Sequence, residues 1–184
     1  MILAQPSQAH CCDPLIELFN DLFATTENTQ LVRGADEPLY LPATEQHPRH
    51  RIIFAHGYFA SALHEIAHWL VAGPERRLQQ DFGYWYRPDG RSAAEQAEFE
   101  QVEVKPQALE WILARACGFR FRTSSDNLSG EGGDPEGFRR AVLAQVRRYL
   151  QQGLNPRADR LVRALAGRYH QPLPVAADFH LADL

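Results

Sequence analysis

The pentapeptide His64-Glu65-Ile66-Ala67-His68 sets two imidazoles one helical turn apart. Residues four apart in an α-helix are separated by about 40° around the axis and about 6 Å along it, so both rings leave one face and can converge on a single ion. Glu65, which leaves the axis about 100° from His64, is the candidate catalytic residue: in metal-dependent hydrolases of this pattern the equivalent glutamate works on the metal-bound water. Two ligands do not complete a site. A third carboxylate or imidazole is required, with further positions left open for water, oxygen or substrate.

The best source of that third ligand is a later helical stretch in which Glu103, Gln107 and Glu110 share one face. Glu103 is the expected ligand, because its neighbours Val102, Val104, Ala108 and Leu109 are apolar and a carboxylate packed there without a partner would be costly. Glu100, one turn earlier, is the competitor, while Glu95 and Glu98 lie in a more polar part of the same stretch. As ordinary helix residues His64 and His68 would face solvent, but Leu63, Ile66, Ala67, Trp69 and Leu70 around them mark a largely buried helix. His56, Tyr58, Tyr84, Trp85 and Arg87 are candidate substrate-binding residues. They offer a polar donor beside the motif and an aromatic and basic wall, although packed aromatic residues with exposed polar tips would give the same pattern.

The elements that must position these groups are legible from caps and periodicity. Asp13-Pro14 reads as an N-cap and first helical residue for a helix over 14–23, and Leu31-Val32 and Leu39-Tyr40-Leu41 suggest short strands or extended loops. Arg51-Ile52-Ile53-Phe54 reads as a buried strand turning at His56-Gly57 into the motif helix, expected over 59–71 and stopped at Gly73-Pro74. Residues 81–86 have strand composition. Ser92 with Glu95 opens a long helix that reaches Cys117-Gly118 and should be bent or split at Pro106. Residues 119–122 suit a short edge strand, 124–137 a mobile loop, and 138–150 and 156–169 two further helices, with short flexible termini. The expected fold class is α+β: one α-rich domain over 1–184 with a few short strands and a metal-binding HExxH helix.

Composition narrows the function. With 184 residues, 45% of them hydrophobic, the chain can bury one sizeable core. A net charge of −4 and a pI near 6.0 disfavour nucleic acid as a partner. No run approaches the roughly 20 apolar residues of a membrane span, and the start lacks a signal-peptide pattern, so a cytoplasmic location without membrane contact is expected. Cys11, Cys12 and Cys117 have no CxxC spacing and read as reduced thiols. Lys105 is the one lysine among 19 basic residues. Arg139, Arg140, Arg147, Arg148, Arg157, Arg160, Arg163 and Arg168 concentrate positive charge on the last two helices, as a solvated face or as a docking surface for an acidic partner.

The blocks 36–42, 51–57, 64–69, 81–91 and 99–109 are long and ordered, and through them the chain resembles the bacterial elongation factor P hydroxylase family. The likeness covers most of the chain and fades at both termini and over 124–137. It implies hydroxylation of a lysine side chain, already extended by β-lysine, on elongation factor P, an acidic partner. The residue-level reading is compatible. Two histidines and one carboxylate on one side of Fe(II) leave positions for O2, the arrangement of non-haem iron oxygenases, whereas zinc binds such donors more tightly and can replace iron during purification. No HxD or HxE pattern occurs, so 2-oxoglutarate as cosubstrate is not supported. Two other readings stay open. One is a zincin-like arrangement, a zinc peptidase with Glu65 as general base. The other is a non-enzymatic module holding a structural ion.

Overall fold

The computed structural model describes residues 10–81, 91–124 and 134–184. The described residues form five α-helices and a small sheet: α1 (Cys12–Phe23), β1 (Thr29–Arg33), β2 (Leu39–Leu41), β3 (His50–Phe54), α2 (Phe59–Val71), α3 (Ala93–Cys117), α4 (Pro135–Gln152) and α5 (Pro156–Arg168). The α-rich α+β class is therefore the observed one. Among the described residues no helix is long and apolar enough to cross a membrane.

The sheet has the order β1-β3-β2, with β1 parallel to β3 (Thr29 opposite His50, Arg33 opposite Phe54) and β2 antiparallel to it (Leu39 opposite Ile53). Helix α1 closes the free edge of β1: the Leu31 N–H donates to Asn20 Oδ1 at 2.7 Å, and Asn20 Nδ2 donates to the Leu31 carbonyl at 3.4 Å. That satisfies backbone groups which would otherwise be stranded beside a packed helix. Helix α1 begins at Cys12, before the predicted start, and Asp13 is not its cap. The Asp13 carboxylate lies in the first turn and pairs with Arg33 on β1 at 2.6 Å.

Helix α2 lies between β3 and α3, and α3 also packs on α4 and α5. Its residues Ala62, Leu63, Ile66 and Ala67 are fully buried, as expected of a helix that is apolar around most of its circumference. Trp69 meets Phe19 and Phe23 of α1 edge-on at 5.2 and 5.1 Å, joining α2 to the first helix. One contiguous apolar cluster takes residues from all five helices and from β1 and β3.

Three expectations are corrected. Helix α3 runs as one element through Pro106. The proline deprives the Val102 carbonyl of its intrahelical partner, but Val102 is 48% exposed, so water can replace it and the helix is not split. Residues 119–122 form no strand: Phe121 is buried and stacks on Trp111 at 5.7 Å instead of pairing with a neighbour in the sheet. Helix α4 starts at Pro135, inside the expected loop, because Asp134 accepts from the Gly137 N–H and Pro135 occupies the first turn. The rest of that loop, 125–133, lies outside the described residues, as does most of the expected strand at 81–86. Only Asp81 is described there, in an antiparallel bridge with Tyr40.

Candidate metal centre

Helix α2 is aimed by the turn that precedes it. His56 and Gly57 have φ of 52° and 67°, two successive left-handed residues that reverse the chain out of β3. A Cβ at Gly57 would meet only the end of the flexible Arg33 side chain, which can move aside, so it is the left-handed conformation that favours glycine there. The first turn is fixed by Ser61, whose Oγ accepts from the Ala55 N–H at 3.1 Å. Helix α3 begins in a capping box, with Ser92 Oγ and the Glu95 carboxylate each serving the other's backbone N–H, and stops at Gly118 with φ of 64°.

Between these two helices His64, His68 and Glu103 bring one donor atom each into a single cluster. The two Nε2 atoms are 3.0 Å apart, His68 Nε2 lies 3.2 Å from Glu103 Oε1, and His64 Nε2 lies 3.8 Å from Glu103 Oε2. Two ligands about 2.1 Å from a shared ion, set between right-angled and tetrahedral, are separated by about 3.0 to 3.4 Å; the 3.0 and 3.2 Å pairs match this and the 3.8 Å pair is a few tenths wider, so a small side-chain shift brings all three donors onto one transition-metal ion. The side chain of Glu103 is 4% exposed whereas those of His64 and His68 are 26% and 19% exposed. The acid is thus walled in and the imidazoles face the accessible side.

Further groups fix this arrangement. Glu110 Oε2 lies 2.8 Å from His64 Nδ1, which donates to it; once the ring sheds its other proton, this contact selects the tautomer whose Nε2 lone pair points at the cluster. Gln107 Nε2 donates to Glu103 Oε2 at 3.3 Å and to the Ser124 carbonyl at 2.7 Å, while the Ser124 N–H donates to Gln107 Oε1 at 3.1 Å. This amide ties the Glu103 carboxylate to the chain beyond α3. Glu110 was expected on the face that supplies the third ligand, but not as the partner of His64. Its signal was available, since it stands seven residues after Glu103 on the same helical face.

The charges respond to the crowding. Burial opposes the charged form of His64, but the Glu110 carboxylate, helped by Glu103 and Glu65, outweighs it and holds the imidazole at about 10. Glu103 is also opposed by burial, yet His68, His64 and the Gln107 amide bring it down to about 2. Burial pushes Glu65 and Glu110 up despite the neighbouring histidines.

The other sequence candidates are dispersed. Glu100 accepts from Gln96 Nε2 at 3.0 Å and stands outside the cluster, as does Glu95 in its capping box. His56 and Tyr58 lean on one another, with ring centres 5.5 Å apart, at the exposed turn before α2, and line neither the cluster nor the cleft beside it. Tyr84, Trp85 and Arg87 lie outside the described residues. The cleft adjoins the cluster at His68 and Glu65, is walled by Tyr40, Trp69, Arg76 and Asp81, opens to solvent, and has a cavity volume of about 30 Å³.

The sequence model of the family described as elongation factor P hydroxylase matches residues 18–179. The chain is 56% identical over 160 residues to the elongation factor P lysine hydroxylase of Haemophilus influenzae, an alignment spanning 87% of this chain and 90% of that one.

Proposed function

The chain belongs to the elongation factor P hydroxylase family, and from that premise we propose that it is a metal-dependent enzyme that hydroxylates the β-lysylated lysine side chain of elongation factor P. The observation that carries the metal dependence is the convergence of His64, His68 and Glu103 within reach of one ion. Fe(II) bound there supplies the activation of O2 that oxygen insertion into an unactivated C–H bond requires. The protein's own part is to present two imidazole lone pairs and one carboxylate, with Glu110 and Gln107 keeping them oriented.

A zinc peptidase uses a similar donor set, with the motif glutamate as base on an attacking water. Identity of 56% to a protein named as a lysine hydroxylase favours oxygen insertion over peptide cleavage. The test is intact mass of β-lysylated elongation factor P after incubation with Fe(II)-loaded protein and excess ascorbate, the two-electron reductant that takes the second atom of O2 to water, in air and under nitrogen. The expected result is a gain of one oxygen atom in air alone. Unchanged mass in air, or peptide cleavage under nitrogen, would overturn the proposal.

A further inference from the structure

Glu65 has no task in the geometry described so far. It is 8% exposed, lies on α2 beside both imidazole donors and lines the cleft. Among the described residues it has no hydrogen-bond partner: its surroundings are burial and the charges of His64, His68, Glu103 and Glu110. A carboxylate so placed is costly unless a cation meets it.

Counting charges identifies what is missing. Asp81 on the cleft wall is already matched by Arg76, whose Nε and Nη2 donate to Asp81 Oδ2 at 3.0 and 2.7 Å. Arg77, also on the wall, is matched by Glu27 at 2.9 Å. A divalent ion on the cluster would be balanced by Glu103 and, through His64, by Glu110. Glu65 is left over, a carboxyl group on a cleft whose remaining lining includes the apolar surfaces of Ile52, Trp69 and Ala72. A carboxyl group beside apolar surface suits an alkylammonium, whose methylene stem packs while its head seeks a carboxylate. An oxygen-inserting enzyme, unlike a peptidase, has no attacking water for this glutamate to deprotonate.

We infer that Glu65 is the specificity residue that receives a primary ammonium of the lysine substrate within this cleft, an assignment that rests on the hydroxylase reading. It replaces the water-activating role that the HExxH spacing alone suggests.

Two measurements on full-length, metal-loaded protein test it. The first is binding of n-pentylammonium, followed by NMR, to wild type and Glu65→Gln, with n-pentanol as neutral control. Wild type should bind the amine and not the alcohol, and Glu65→Gln should lose the preference while keeping its fold and metal affinity. The second is hydroxylation of β-lysylated elongation factor P. Glu65→Gln should raise KM at least tenfold with kcat changed only a fewfold, and Glu65→Asp, which keeps the charge, should recover part of the loss. Glu65-dependent amine binding without hydroxylation of the factor would refute the hydroxylase reading yet support an ammonium site. Equal amine binding by wild type and Glu65→Gln, or a fall in kcat at unchanged KM, would overturn the inference.

Discussion

Glu110 separates holding a metal from merely filling a core. Its carboxylate touches His64 Nδ1 and no other donor of the cluster, so it acts through that ring. Glu110→Gln preserves volume and a hydrogen-bonding group but removes the charge. It should weaken metal binding by about 10- to 100-fold, read by competition with a chromogenic chelator. Affinity equal to wild type would show that the ring needs no orienting carboxylate. Protons compete for the same ring. With its pKa raised from 6.5 to about 10 in the metal-free protein, His64 is protonated at neutral pH, and a ligand must shed that proton to bind. Metal affinity should therefore climb by up to about tenfold per pH unit between about pH 6.5 and 9, with about one proton released per ion, measurable by calorimetry in buffers of different ionisation enthalpy. At this scale the sequence was informative where spacing alone decides, as for His64 and His68. It placed Glu110 on the same face as Glu103 but not its role, because a buried glutamate that orients a ligand is distinguished from a ligand only by what it meets.

At the scale of elements, strong local signals were legible. The capping box at Ser92, the left-handed stop at Gly118 and the Asn155-Pro156 start of α5 are local preferences that tertiary packing had no reason to override. Gly118→Ala would force a side chain into φ of 64° and bring its Cβ to 3.0 Å from the Gln171 side chain, which can move aside. The strain should then dominate, at about 1 to 2 kcal/mol, seen as a lower midpoint in urea. Long-range pairing was not legible: nothing in Thr29–Arg33 announces a parallel partner at His50–Phe54, and the three residues of β2 are too few for a period. Pro106 misled for a related reason. The cost of one lost hydrogen bond is local, whereas the contacts of α3 with α2, α4 and α5 that outweigh it are not.

Across the whole molecule, basic and catalytic features lie on different elements. Arg139, Arg140, Arg147 and Arg148 are exposed along α4, and of these only Arg140 has an i, i+4 acidic partner, Glu136. Such a face steers an acidic protein through long-range attraction that salt screens. Arg147→Glu with Arg148→Glu should weaken capture of elongation factor P and flatten its salt dependence, while leaving metal affinity intact. Binding unchanged by the reversal would remove α4 from the docking surface.

The central claim is that α2 and α3 hold one ion through His64, His68 and Glu103, and anaerobic titration of metal-free protein with Fe(II) tests it most directly. Wild type and Glu100→Ala should each take up one ion per chain, and His64→Ala, His68→Ala and Glu103→Ala should each lose tight binding. Binding by Glu103→Ala as tight as wild type, or a loss confined to Glu100→Ala, would contradict the account.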